Sequence, residues 1–420
     1  MIAYLLYGGL AIAVAWVAGR RSMLAIGLLV AAIGIRIAFG FLEHSVIVFD
    51  DEGHYLEQAA EIDDARIGVE DIKLGLTHEN HWVIITATHH RVFGEALHPM
   101  RALNVFLGVV MALLMGRIAR LLRAAPKTEE CVYHFGLFGP PMLFLGCNIL
   151  KEQAMAVVLG LIVCGLLERG LRRVWIFMVS LIALWVVRFK LMPFAIVGIL
   201  GLGIYTHFDV FRNADSRVKW AVGVTALAAW ILFCTFFSDL LIYSPVGKYL
   251  TAFMGMPSYD MSMQDLPAFH ASSAGVAGWL DRENPFSMRN MAVLSVRNLY
   301  SPGLCQFIAD PSREQGLYWF AANIWWWAAV PFFAVRLLST HGATRRHLAV
   351  GLVIGTMYLI ATATDLTVFQ QSWRYRWAIW PVFFTVAIMG LLEPSGWKRS
   401  VNLVWWISVM AFCAVYFWWI

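Results

Sequence analysis

Long apolar runs recur along almost the whole of this 420-residue chain. Each approaches the roughly 20 apolar residues that a helix needs to cross the hydrocarbon core of a bilayer. Hydrophobic residues make up 60% of the chain and charged residues 14%, whereas about a quarter of a soluble domain is charged. The sequence therefore predicts an all-α polytopic membrane protein with about 12 transmembrane helices. The runs fall at residues 2–18, 23–42, 102–122, 132–148, 153–168, 174–188, 191–206, 220–242, 317–336, 348–364, 376–392 and 401–419.

Basic residues are concentrated in one alternating set of the connections between these runs. Lys and Arg favour the cytoplasmic side of a membrane, so we expect this set to face the cytoplasm. The net charge of +5 then reflects topology, and we expect no nucleic-acid partner. The basic connections are 20–21, 117–127, 169–173, 212–219, 336–347 and 398–399.

The other set of connections includes two long ones, at residues 43–101 and 243–316. By alternation, both lie on the outer face of the membrane. We expect amphipathic helices within each of them, and the second loop to cover an acceptor or to bind a partner. No internal repeat divides the chain, so we expect a single transmembrane domain over residues 1–420.

A cluster of carboxylates opens the first long loop, directly after the second apolar run. Asp50, Asp51 and Glu52 are adjacent, and His54 and Tyr55 follow them. Carboxylates at a membrane boundary can deprotonate a hydroxyl group or hold a divalent cation. They can also simply cap a helix N-terminus.

The same loop carries seven of the chain's twelve histidines. The segment from His78 to His81 reads H-E-N-H, one residue short of the H-E-x-x-H zinc motif, so a zinc protease is not indicated. A divalent cation held by Asp51 with His54, His78 or His81 is one alternative. Polar lining of a cavity is the favoured interpretation, and the metal ligands stay unknown.

The order of motifs in this loop resembles the GT-C superfamily of polyprenyl-phosphate-dependent glycosyltransferases, in particular the bacterial family 39 and ArnT-like enzymes. Their pattern D-E-x-x-Y-x-x-x-A is matched by Asp51, Glu52, Tyr55 and Ala59. Segments similar to later family motifs follow in order: His81-Trp82-Val83, Phe93-Gly94, Arg101-Ala102-Leu103-Asn104, Gly116-Arg117-Ile118-Ala119-Arg120, Pro140-Pro141 through Lys151-Glu152, and Arg374-Tyr375-Arg376 with Pro381. The chain departs from the family in lacking a proline after His81 and in carrying an additional acid, Asp50.

The resemblance implies an enzyme of the bacterial inner (cytoplasmic) membrane whose active site faces the periplasm or exterior. Such an enzyme transfers a sugar from a polyprenyl-phosphate donor to a glycan, lipid or protein acceptor, inverting the anomeric centre. The resemblance makes Asp51 the expected general base, with Asp50 or Glu52 as rivals. It places Tyr55, His54 and His81 at the substrate.

The lipid phosphate needs cations at the outer boundary of the membrane. Cations on outer turns run against the positive-inside rule, and an anionic lipid would account for them. Snorkelling to headgroups is the alternative for each one. The candidates for phosphate binding are Arg188, Lys190, Arg374, Arg376 and, with less support, Lys151.

Arg36 falls inside the second apolar run. A charge at that depth costs about 2.5–3.5 kcal/mol on insertion scales, so we expect it to pair with a carboxylate or a phosphate unless it snorkels to the interface.

Other functional classes remain open on the sequence. An O-antigen or exopolysaccharide polymerase or ligase would rely on outer arginines such as Arg282 and Arg289. A lipid-linked glycan transporter and a non-catalytic scaffold subunit are further alternatives.

Overall fold

This computed structural model describes residues 2–46, 55–60, 62, 81–147, 151–188, 192–206, 215, 220, 224, 288–300, 314–338, 345–365, 376–393 and 398–419. Every regular element within these ranges is a helix, which confirms the all-α part of the prediction. The chain forms two compact units, residues 1–192 with 380–393, and residues 193–379 with 394–420. The expectation of a single transmembrane domain stays a prediction. The α-helices are α1 (Ile2–Val17), α2 (Met23–Val46), α3 (His81–Phe93), α4 (Leu97–Leu121), α5 (Pro126–Phe138), α6 (Pro140–Cys147), α7 (Glu152–Leu167), α8 (Leu171–Arg188), α9 (Met192–Thr206), α10 (Met288–Tyr300), α11 (Glu314–Leu338), α12 (Arg345–Asp365), α13 (Trp380–Leu392) and α14 (Lys398–Trp419).

One helix in the described ranges, α4, is long and apolar enough to cross a membrane by length and composition. Its 25 residues span about 37 Å at 1.5 Å per residue. Several predicted spans correspond to shorter apolar helices, so the count of about twelve crossings stays a prediction. These shorter segments are Ile2–Val17, Met23–Ala38, Glu152–Leu167, Ile324–Leu338, Arg346–Leu359 and Arg376–Leu392.

The predicted apolar run 132–148 is not one helix. It divides at Gly139, where α5 has ended and α6 begins at Pro140. Proline has no backbone N–H and cannot donate to the carbonyl four residues earlier. Pro140 and Pro141 therefore leave the carbonyls of Gly136 and Leu137 without their helical donors, and this loss explains the break.

The side chain of Arg36, from α2, supplies the missing donors. Its Nη2 donates to the carbonyl oxygens of Gly136 at 2.7 Å and Leu137 at 3.2 Å. Its Nη1 donates to the carbonyl oxygen of Met142 at 2.9 Å. Arg36 is 1% exposed, which excludes snorkelling. Pairing of Arg36 with a carboxylate or a phosphate stays a prediction.

The guanidinium of Arg36 reaches the break because α4 carries a glycine beside it. A Cβ added at Gly108 would lie 2.6 Å from Nη1 of Arg36, closer than side-chain contacts allow. Small residues also set the approach of α4 to α5, since a Cβ at Gly136 would lie 2.7 Å from the Cα of Ala112. Close backbone approach at small residues is typical of helices packed in membranes.

Ion pairs gather three of the predicted cytoplasmic connections at one end of the first unit. The paired residues are Arg20 with Glu130, Arg120 with Glu129, and Arg117 with Glu168. We call this the basic end. The helices α1, α4 and α7 all finish there. Their N-terminal turns, and the last turns of α2, therefore define the opposite end, which we call the motif end.

Aromatic side chains hold the described helices of the second unit together. The indole N–H of Trp326 on α11 donates to the carbonyl of Leu299 at 3.1 Å, close to the end of α10. The indole N–H of Trp405 on α14 donates to the carbonyl of Trp327 at 2.8 Å. Tyr300 stacks on Trp405 with ring centroids 5.3 Å apart. These bonds fix α10, which lies in the predicted second outer loop, against α11 and α14.

The role of Arg36 at the helix break predicts a coupled effect of two substitutions. Gly108→Ala should displace the guanidinium, and Arg36→Met should remove it. Each change leaves buried carbonyls unsatisfied, at about 1–3 kcal/mol per group. Because both variants lose the same hydrogen bonds, the double variant should lose less stability than the sum of the single variants. Thermal unfolding of the four proteins in detergent measures this coupling.

The matched control is Gly34→Ala, on α2, where an added Cβ meets no atom within 4 Å. It should keep or slightly raise the melting temperature. A Gly108→Ala protein as stable as the Gly34→Ala protein would contradict the role given to Arg36.

Candidate functional site

The helix α3 lies at the motif end with one face buried. Trp82, Val83, Thr86 and His89 are all less than 10% exposed, and their spacing places them on one side of a helix. Helix α3 stops at Gly94, which has φ +77°, a conformation that glycine adopts without strain. The Phe93-Gly94 motif therefore marks the C-terminal end of α3, which packs against other helices of the first unit.

His89 fixes this helix to α1. The hydroxyl of Tyr7 is 2.6 Å from Nε2 of His89, and Nδ1 of His89 is 2.7 Å from the carbonyl oxygen of Ile85. A carbonyl only accepts, so Nδ1 carries the proton and Nε2 accepts from Tyr7. Burial lowers the pKa of His89 below its ordinary 6.5, while the bond to Ile85 acts in the opposite direction. His89 is therefore held neutral.

Arg101, the first residue of the R-x-x-N motif, anchors the last part of α2. It is 2% exposed, and its Nη1 donates to the carbonyl oxygen of Gly40 at 2.7 Å. Asn104, one turn later, is fully buried. The chain reaches the acidic motif ten residues after Gly40, so Arg101 fixes the helix from which that motif departs.

Two predicted substrate residues meet at the motif end. Tyr55 opens the helical segment 55–60 and is 4% exposed. The ammonium of Lys151, directly before α7, lies 5.9 Å from the centroid of the Tyr55 ring, within the range of cation–π attraction. Tyr55 of the D-E-x-x-Y motif and Lys151 of the Lys-Glu motif, nearly a hundred residues apart in sequence, are therefore in contact.

The first turn of α7 carries two further polar side chains, both buried. Glu152 is 3% exposed and Gln153 is 1% exposed. An acidic residue in the first turn complements the positive end of the helix dipole, and Lys151 makes no side-chain capping bond at this terminus. This turn combines a cation, a buried carboxylate and a buried amide.

The structure describes only some of the remaining predicted site residues. Asp50, Asp51, Glu52, His54, Lys190 and Arg374 lie outside the described residues. His81 begins α3 and Arg188 ends α8, without described side chains. Arg376, in the second unit, is 1% exposed with its guanidinium carbon 5.3 Å from the centroid of a Trp326 ring. Phosphate binding by these cations stays a prediction.

Among the described residues, no group of three or more His, Cys, Asp or Glu side chains is placed to hold a metal ion. Comparison with protein-family models, curated proteins and solved structures found no match. The site is therefore defined by its own geometry.

Sequence reasoning did not single out His89 or Gln153. The spacing of Trp82, Val83, Thr86 and His89 was a usable signal, because it marks a buried helix face. Gln153 offered a weaker signal, an amide following a Lys-Glu pair at the start of an apolar helix. Neither pattern specifies which polar group the side chain meets.

The neutral His89 predicts a loss of stability at acid pH. Burial lowers the pKa of His89 in the folded protein below the unfolded value near 6.5. The unfolded chain then binds the proton first, and stability falls as pH drops below about 6.5. Melting temperature measured from pH 8 to 5 should show this fall, and His89→Gln should weaken it.

The matched control is Thr88→Ala on the same helix, where the exposed side chain has no titratable group; this variant should keep the pH dependence of the native protein. Equal pH profiles for His89→Gln and the native protein would contradict the assignment.

Proposed function

We propose that this chain is a membrane glycosyltransferase of GT-C type, which transfers a sugar from a polyprenyl-phosphate donor to an acceptor hydroxyl on the outer face. The observation that carries the proposal is the contact of Lys151 with Tyr55. It joins the acidic motif, which would supply a base, to a cation that would bind a lipid phosphate.

A membrane environment is supported by the surface of α8. Large apolar side chains are exposed along its whole length, at the spacing of one helix face. Such a stripe is unfavourable in water and is satisfied by lipid tails. The exposed residues are Leu171, Val174, Trp175, Met178, Val179, Ile182 and Trp185.

The separation of the basic end from the motif end of the first unit supports the proposal that the site faces the outer side of the membrane. Arginines of the short connections meet at the basic end with their glutamate partners, as expected for a cytoplasmic face. Tyr55 and Lys151 lie at the motif end. A site there would face the periplasm or exterior, where lipid-linked sugars serve as donors to glycans, lipids or proteins.

The proposed reaction needs one proton transfer and one displacement. The carboxylate of Asp51 accepts the proton of the acceptor hydroxyl, with Asp50 or Glu52 as rivals for this role. The acceptor oxygen attacks the anomeric carbon, and the bond from that carbon to the phosphate oxygen breaks. The lipid phosphate leaves with the electron pair, and Lys151 balances its charge. Attack opposite the leaving group inverts the anomeric centre.

The positions along the chain permit this geometry. Tyr55 follows Asp51 by four positions, which limits their Cα atoms to about 14 Å even in an extended chain. The ammonium of Lys151 lies over the ring of Tyr55. A donor phosphate on Lys151 would therefore lie within reach of the acidic motif.

Two substitutions test the proposal in proteoliposomes supplied with a panel of undecaprenyl-phosphate monosaccharides and soluble hydroxyl acceptors. Asp51→Asn should lower the release of undecaprenyl phosphate by about 10²–10⁴-fold, the usual contribution of a general base, without weakening lipid-phosphate binding. Lys151→Met should weaken that binding by about 10–100-fold, as expected for a lost charged hydrogen bond. Lys127→Met, exposed in the first turn of α5, is the control and should change neither quantity.

Native activity in Asp51→Asn would remove Asp51 as the base. Failure of the native protein to release lipid phosphate from any donor would contradict the glycosyltransferase itself. Movement of a labelled lipid across the bilayer without release would favour a transporter. Loss of activity in Arg289→Ala, exposed on α10, together with an active Asp51→Asn, would favour a polymerase or ligase.

A further inference from the structure

The amide of Gln153 has a buried acceptor with no partner. Its side-chain oxygen Oε1 accepts no hydrogen bond from any residue in the described part of the chain, and the residue is 1% exposed. An unsatisfied buried acceptor costs about 1–3 kcal/mol, and most such atoms in native proteins have partners. A group that the fold leaves unsatisfied in this way is a candidate for a ligand contact.

Gln153 lies in the same helical turn as the proposed phosphate-binding residue. It is the second residue of α7 and follows Lys151 by two positions. The two lie about 3 Å apart along the helix axis and project from different sides of it, so a ligand that contacts both must cover the N-terminal end of α7. In the proposed donor, the sugar is bonded directly to the phosphate, so a phosphate on Lys151 brings the sugar ring to this first turn.

The chemistry of the turn fits a sugar hydroxyl better than a second phosphate. Oε1 of Gln153 needs a donor, and a hydroxyl group provides one. The neighbouring Glu152, 3% exposed, adds carboxylate oxygens, which also accept hydrogen bonds from hydroxyl groups. A Gln amide also carries donors in Nε2, so it can accept from one hydroxyl and donate to another.

We propose that Gln153 recognises the donor sugar by accepting a hydrogen bond from one of its hydroxyl groups. This inference rests on the proposed glycosyltransferase function and deepens it. Lys151 would bind the phosphate that all donors share, and Gln153 would distinguish their sugars. A site that hydrogen-bonds a hydroxyl rejects analogues lacking it, because its own polar group is then left unpaired.

The test is Gln153→Met, which keeps the side-chain length and removes the amide. The probes are the undecaprenyl-phosphate monosaccharide that the native protein uses best and its series of single-deoxy analogues. For the full sugar, kcat/KM should fall by about threefold to tenfold, the contribution of one neutral hydrogen bond. For one deoxy analogue, the native and variant proteins should have equal kcat/KM, because neither makes the bond. Binding of undecaprenyl phosphate without a sugar should be unchanged.

Two further measurements separate recognition from a structural role. The melting temperature of unliganded Gln153→Met should equal or exceed that of the native protein, because an unsatisfied acceptor has been removed. A lower melting temperature would show that Gln153 serves the fold and would overturn the proposal. Ser180→Ala is the control, since the Ser180 hydroxyl is buried on α8 and already donates to the carbonyl of Ile176 at 2.6 Å. It should leave donor kinetics unchanged.

The remaining outcomes separate the two proposals. If the native protein turns over a donor and Gln153→Met matches it across the whole deoxy series, the recognition proposal fails and the glycosyltransferase stands. If the native protein turns over no donor, the glycosyltransferase fails and the recognition proposal falls with it.

Discussion

The architecture of the first unit depends on one guanidinium group that serves backbone carbonyls. Pro140 and Pro141 break a helix and withdraw two N–H donors, and Arg36 reaches from α2 to replace them. Gly108 on α4 leaves the space that the guanidinium occupies. Three helices are thereby held in one register, since α2, α4 and the α5–α6 break must each be in place for the bonds to form. A buried charge is costly unless it is hydrogen-bonded. The interaction therefore requires accurate placement of the carbonyl groups, and it is specific for this arrangement of helices.

The same register positions the motif end. Arg101 on α4 holds the carbonyl of Gly40 on α2, and His89 ties α3 to α1 through Tyr7. Helix α7 runs from Lys151 to its ion-paired end at Glu168. The residues of the candidate site therefore stand on helices that are tied to their neighbours, which is the support that a precise site needs.

The apolar runs predicted the helices because a long apolar stretch satisfies its backbone polar groups most simply within a helix. Helices α1, α7, α8 and α9 follow the predicted runs to within a few residues. Pro140-Pro141 indicates the break at Gly139, whereas hydropathy alone predicts one continuous apolar run there. The hydrogen-bond partners of Arg36 could not be predicted, because a hydropathy profile registers its charge but does not specify which carbonyls lie near it after folding. The position of the Arg36 side chain depends on tertiary structure, because the two prolines that leave the carbonyls without donors lie about a hundred residues downstream in the sequence.

The site was predictable to a similar degree. Motif order pointed to Tyr55 and Lys151, and the structure brings these two side chains together. Which polar atoms are satisfied after folding could not be predicted, so the weak signal at Gln153 did not reveal its unsatisfied acceptor. The distinction between His89, neutral and bonded to Tyr7, and the loop's other histidines likewise depends on burial. Residue type and spacing predict the location of such groups, whereas their protonation and hydrogen bonding follow from packing.

The central claim is that a lipid phosphate binds at the motif end, on Lys151 above Tyr55. A structure of the full chain in a lipid nanodisc with bound undecaprenyl phosphate tests it most directly. We expect phosphate density beside the ammonium of Lys151, with the acidic motif of residues 50–52 facing it. Phosphate density at the basic end, among Arg20, Arg117 and Arg120, would contradict binding at the motif end.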